Sequence, residues 1–183
     1  MKGWSKFATR ALLGLIALNI ASTVCYFALR HQVSQARKPP VVEMGAGVPA
    51  FSGVDVGGAK WESKGAPCRV IRITDDHCAF CKKDKPSYAK LVEAARRSSC
   101  EVIEVAPRAG SMAYDPRPGI VQLKFVDADL GSVVGSFVTP QTVIVDKDWK
   151  LLANRRGIFD EKSLNSTVAL LESVAAGKTS VSN

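Results

Sequence analysis

At 183 residues the chain is long enough for one domain with its own core plus an appendage. Its net charge of +8 does not mark a nucleic-acid binder: six of the 25 Lys/Arg and none of the 17 Asp/Glu fall within residues 1–42, leaving 19 against 17 in the rest. The remainder is nearly neutral, without an electrostatic footprint for DNA or RNA, and five cysteines at this length exclude a dense disulfide scaffold.

Residues 11–29 (ALLGLIALNIASTVCYFAL) carry no charged side chain. As a helix the run spans roughly 28 Å, close to the hydrocarbon thickness of a bilayer. Lys2, Lys6 and Arg10 precede it and Arg30, His31, Arg37 and Lys38 follow it, placed to meet anionic headgroups. A buried core helix is the bland alternative and a cleaved signal peptide the stronger rival. The apolar region is long for a signal peptide, however, and the best small-x-small site, Ser34-Gln35-Ala36, is distant. Val24 also suits a lipoprotein site at Cys25 poorly. The expectation is therefore an uncleaved single-pass anchor at 11–29 behind a short cytoplasmic tail at 1–10. Three Lys/Arg on each flank leave its orientation undecided by charge. Residues 30–47, with Pro39, Pro40, Gly45 and Gly47 and no periodicity, read as a linker.

A domain is expected over 48–177, followed by a flexible tail at 178–183. Residues 48–61, broken by Gly53, Gly57 and Gly58, suggest a hairpin. Residues 69–74 (RVIRIT) are rich in β-branched side chains and predict a strand. From Cys81 to Arg97 the apolar positions Tyr88, Leu91, Val92 and Ala95 recur at helical spacing. Residues 101–105 (EVIEV) predict a second strand. The stretch 107–118, with Gly110, Pro116 and Pro118, reads as an irregular excursion. A strand at 121–126, a short helix or turn at 129–137, a strand at 141–145, a turn at 146–148 and an antiparallel partner at 149–153 follow. Leu164, Val168, Leu171 and Val174 trace a last helix, with Asp160 or Ser163 as N-cap and Gly177 as its stop. The order βαβ, hairpin, helix implies an α/β fold, a mixed sheet flanked by helices.

Cys78-Ala79-Phe80-Cys81 lies between a strand and the start of a helix. A helix N-terminus offers free N–H groups and partial positive charge, which stabilise a thiolate and make the sulfur a better leaving group. Cys78 is the expected nucleophile, and Cys81, one turn on, is placed to attack the mixed disulfide. A zinc site would need about four ligands, and neither a second Cys-x-x-Cys nor a His-x-x-x-His occurs. A purely structural disulfide across so short a loop would stabilise little.

The segment CAFCKKDKP resembles the active-site helix of thioredoxin-fold proteins, with Pro86 five residues after the second cysteine. VTPQTVIVDKDWKLL resembles the family's cis-proline strand and hairpin, with Thr139-Pro140 at the cis bond. Within that fold the two segments resemble the TlpA/ResA-like membrane-anchored thiol–disulfide oxidoreductases, which work outside the bacterial cytoplasm and often serve cytochrome c maturation. Through this resemblance Asp84 matches an acidic residue that could relay the proton of Cys81; the plain alternative is a surface acid. Thr139 and Pro140 correspond to the substrate-binding backbone. Three positions depart from the pattern: His77 replaces a Trp, Phe80 replaces a Pro, and Arg72 stands where thioredoxin buries an Asp. Redox potential and direction of electron flow therefore do not transfer. His77, Lys82 and Lys83 could favour a thiolate by charge, but read by default as solvated side chains, as do Asp75 and Asp76.

Cys68 and Cys100 each precede a predicted strand of the βαβ unit, so parallel pairing would bring them to the sheet edge opposite the Cys-x-x-Cys. A structural disulfide is the hypothesis; two small buried hydrophobes are the alternative. The resulting expectation is an enzyme of the bacterial inner membrane, single-pass, with its domain facing the periplasm or cell exterior. It would exchange disulfides with protein substrates and an unidentified redox partner, without cofactor, metal or nucleic acid. The alternatives are a redox-inactive module of the same fold that binds copper or a partner protein through the Cys pair, and a redox-inert docking domain.

Overall fold

The computed structural model describes residues 3–36, 43–63, 65–106, 115–126 and 139–178. The expected helix or turn at 129–137, most of the excursion at 107–118, part of the linker and residues 179–183 lie outside them. The chain divides into two compact units, Met1–Pro39 and Pro40–Asn183.

The first unit is a single helix, α1 (Gly3–Ala36), longer at both ends than the apolar run, because no helix breaker occurs before Pro39. Its Arg10–Arg30 stretch has a mean hydropathy of 2.0, and Leu12, Leu15, Leu18 and Phe27 are all exposed. Apolar side chains on every face are what a lipid-embedded helix requires. Two of the polar groups within it bond to its own backbone: Asn19 Nδ2 donates to the Leu15 carbonyl (3.0 Å) and Thr23 Oγ1 to that of Asn19 (2.8 Å). Among the described residues α1 is the one helix long and apolar enough to cross a membrane.

In the second unit the strands are β1 (Ser52–Asp55), β2 (Lys60–Glu62), β3 (Cys68–Ile73), β4 (Glu101–Val105), β5 (Ile120–Val126), β6 (Gln141–Asp146) and β7 (Leu151–Arg156). They form one mixed sheet in the order β2-β1-β5-β4-β3-β6-β7. The β3, β4 and β5 strands run parallel, while β1–β2, β1–β5, β3–β6 and β6–β7 pair antiparallel. Helix α2 (Ala79–Arg97) links β3 to β4, and α3 (Glu161–Ala175) ends the domain. Asp160, rather than Ser163, caps α3, its carboxylate accepting the Ser163 N–H at 2.6 Å.

Helices α2 and α3 bury Leu91, Ala94, Ala95, Leu164 and Leu171 against Val70, Val102 and Ile144 of the sheet. The opposite sheet face holds Ile71, Ile103, Leu123 and Val143, covered by Val48, Phe51 and Trp61. Central strands are buried on both faces, which explains why β3 and β4 are apolar at nearly every non-ionic position. Cys68 and Cys100 are disulfide-bonded one position before the first rung of β3 and β4, Arg69–Glu101, with Cα atoms 4.7 Å apart.

The expected strand at 149–153 is displaced. Trp149 adopts φ 61° in the turn, where the Asp146 carboxylate accepts the N–H groups of Asp148 (2.8 Å) and Lys150 (2.9 Å). The paired strand therefore starts at Leu151 and continues through the polar Asn154, Arg155 and Arg156, whose side chains carry no apolar alternation.

Candidate active site

The turn after β3 sets the position of the first sulfur. The Asp75 carboxylate accepts the His77 N–H (2.8 Å) and its carbonyl accepts the Cys78 N–H (3.1 Å), which stops the strand and makes Cys78 the N-cap of α2. Cys78 Sγ then accepts the Cys81 N–H at 3.1 Å, the role a Ser or Asp oxygen plays at an ordinary helix start. Thr139-Pro140 is cis, and the Thr139 carbonyl lies 3.5 Å from Cys78 Sγ, across the opening of the site.

Environment drives the two thiols apart. Burial opposes ionisation of Cys78, but hydrogen bonds from Cys81, from Thr139 and from the Phe80 backbone outweigh it and bring its thiol below the ordinary cysteine range. Cys81 is buried, and that burial, with its hydrogen bond to Cys78, pushes its thiol up. At neutral pH Cys78 is the more ionised and more accessible sulfur, and Cys81 the protonated, sheltered one.

Asp84, one turn beyond Cys81, is fully buried and not the surface acid of the plain alternative. Its Oδ2 is ion-paired with Arg72 Nη2, and its Oδ1 accepts the Phe159 N–H at 2.8 Å. His77, Lys82, Lys83 and Asp76 are exposed, as is Phe80 between the two cysteines. Among the described residues no three His, Cys, Asp or Glu side chains are grouped to hold a metal ion.

A polar row was not anticipated. Thr142, Arg72, Glu104 and Gln122 are register partners on β6, β3, β4 and β5, two rungs along the same sheet face from the apolar Val70–Val102 pair, and all four are buried. Arg72 Nη1 donates to Thr142 Oγ1 (2.6 Å). Glu104 is ion-paired with Arg117 and accepts Gln122 Nε2 at 2.8 Å. Tyr88 of α2 covers the row, its ring 4.8 Å from the Arg72 guanidinium carbon. A signal for it exists in the sequence: CRVIRI and CEVIEV are the same pattern with opposite charges at matching places.

No protein-family model and no curated protein matches this sequence. Solved structures do match its fold. A candidate thiol:disulfide interchange protein DsbE from Chlorobium tepidum aligns over 72% of this chain and 99% of its own, with 16% identity and a TM-score of 0.56. The thioredoxin domain of a thiol-disulfide oxidoreductase from Bacteroides vulgatus aligns over 72% and 99%, with 17% identity and a TM-score of 0.53. A thiol:disulfide interchange protein from a Bacteroides species aligns over 69% and 88%, with 18% identity and a TM-score of 0.50. At such identities the likeness defines the fold, and the fold is thioredoxin-like.

Proposed function

We propose that this chain is a membrane-anchored thiol–disulfide oxidoreductase acting outside the cytoplasm. The observation that carries the reading is the pairing of a thiol brought below its ordinary range at a helix N-cap, Cys78, with a buried thiol pushed up one turn on, Cys81. That asymmetry suits a two-step exchange. In reduction of a substrate, Cys78 thiolate attacks one sulfur of the substrate disulfide, the substrate S–S bond breaks, and the other sulfur leaves as a thiolate. Cys81 then attacks Cys78 Sγ, forming the Cys78–Cys81 bond and releasing the second substrate thiolate. Oxidation of a substrate is the same path reversed.

The Thr139 carbonyl and the cis Pro140 face the nucleophile and serve as the backbone against which a substrate strand lies. Asp84 holds the first turns of α2 to β3 through Arg72, and so sets the position of Cys81. The proposed organisation is a cytoplasmic tail at 1–10, an anchor at 11–29, a linker at 30–47, the redox domain at 48–177 and a tail at 178–183. An outward-facing domain agrees with the Cys68–Cys100 disulfide, which persists best in an oxidising compartment. The names of the similar structures support thiol–disulfide interchange, whereas a bacterial inner-membrane setting, with cytochrome c maturation or extracytoplasmic disulfide reduction as the process served, rests on the resemblance of the sequence to the TlpA/ResA-like group.

The test is a trap. In Cys81→Ser the first step proceeds and the second does not, so disulfide-linked adducts with substrate proteins accumulate, are released by dithiothreitol and disappear in Cys78→Ser/Cys81→Ser. Equal adducts in both variants would mean that Cys78 is not the nucleophile.

A further inference from the structure

Beside Cys81 lies a partly open pocket of about 90 Å³, lined largely by polar side chains and with room for water. Cys81, Tyr88, Glu104, Gln122 and Arg117 all line it. Among the described residues no group meets hydrogen-bond geometry with the buried Tyr88 hydroxyl, although Glu104 lies close by. A buried hydroxyl facing a polar cavity of this size takes its partner from water. Burial, and then the negative charge of Glu104, hold that hydroxyl well above the ordinary tyrosine range, so it stays protonated and orients the water rather than accepting its proton.

We propose that Glu104 is the residue that accepts the proton of Cys81, through water held in this cavity. The inference rests on Cys78 and Cys81 being the redox pair. In the resolving step the Cys81 proton passes by water to the Glu104 carboxylate. The Cys81 thiolate attacks Cys78 Sγ of the mixed disulfide, the bond from Cys78 to the substrate breaks, the Cys78–Cys81 bond forms, and the substrate sulfur leaves with the electron pair. In the reverse direction the proton returns to Cys81.

Charge conservation favours this acceptor. Arg72 with Asp84, and Arg117 with Glu104, make the buried row neutral. Losing the Cys81 proton to bulk water would leave an uncompensated negative charge in a low-dielectric space, whereas passing it to Glu104 leaves the total unchanged. The other acids around the cavity are differently placed. Asp84 does not line it, whereas Glu104 does, its oxygens accepting from the part-exposed Arg117 and from Gln122. Asp75 is committed to the His77 N–H, and Asp76 and Asp115 face solvent. The cavity's lysines, Lys82 and Lys85, are exposed at its rim. Arg117 is partly exposed, so it can loosen towards solvent when Glu104 is protonated.

The test uses the full chain in detergent with Cys25→Ser, since Cys25 is an exposed free thiol. The reduced protein is mixed with an aromatic disulfide whose thiolate is coloured. One equivalent is released as Cys78 attacks and a second as Cys81 resolves the adduct. Glu104→Gln should leave the first phase within about twofold and slow the second at least tenfold near neutral pH. The variant's second phase should keep rising with pH beyond the ordinary cysteine range, as the raised thiol of Cys81 ionises unassisted, and Glu104→Asp should restore part of the rate. An unchanged second phase and pH profile would overturn the role of Glu104. Absence of the first phase in the parent chain would instead overturn the redox pair itself. If Glu104→Gln does not fold, infrared difference spectra of the parent chain with ¹³C-labelled Glu decide the matter. A protonated-carboxyl band that shifts with the label, and is gained as Cys81 ionises, supports the transfer, and its absence refutes it.

Discussion

Asp84→Ala is expected to destabilise the domain by about 3–5 kcal/mol, the usual consequence of removing one partner from a buried ion pair. Asp84 has no exposed surface and Arg72 is 2% exposed. The guanidinium donates to Asp84 and Thr142 and is stacked against Tyr88 at 4.8 Å, with Phe159 at 6.0 Å. Without the carboxylate, a cation remains in that enclosure with one neutral partner, and the Phe159 N–H loses its acceptor. The pair itself is not a large net gain, because two charges had to be desolvated to form it. Arg72→Met with Asp84→Leu is therefore expected to recover more than half of the loss. Denaturant unfolding followed by tryptophan fluorescence measures both variants. A single-variant loss below about 1 kcal/mol would contradict a desolvated, paired Arg72.

Removing the second disulfide ranks next. Cys68→Ala with Cys100→Ala opens a loop with a sequence separation of 32, for which the chain-entropy estimate gives about 3.5 kcal/mol. For a domain of this size that corresponds to a fall in Tm of roughly 10 °C. The bridge closes the sheet edge remote from the Cys78 turn, so disulfide exchange at Cys78 and Cys81 should persist within about twofold at temperatures where the variant is folded. An unchanged Tm would mean that the bridge contributes nothing to the domain's stability.

Much of this organisation was readable from residues alone, for local reasons. The β-branched runs at 69–74 and 101–105, the helical spacing of Tyr88, Leu91, Val92 and Ala95, and the Asp160 cap each report their own element. Cys78 and Cys81 announce themselves by spacing and by the strand before them. What was not readable depends on which strand lies beside which. Glu104 is an ordinary strand acid until the parallel register sets it beside Arg72 and Gln122. Thr142 joins the row only because β6 returns antiparallel on the other side of β3. Trp149 read as a strand residue because it is large and apolar, yet the hydrogen bonds of Asp146 hold the turn open past it. Its ring is used instead beneath the Arg69 guanidinium, 4.5 Å away, and edge-on to Phe51.

The most direct measurement is the redox midpoint of the full chain carrying Cys25→Ser, equilibrated in glutathione or dithiothreitol buffers, with Cys78→Ser and Cys81→Ser beside it. The account predicts a reversible two-electron couple, lost in both serine variants and retained in Cys68→Ala/Cys100→Ala. A couple that survives Cys78→Ser, or none at all in the parent chain, would contradict thiol–disulfide exchange as what this domain does.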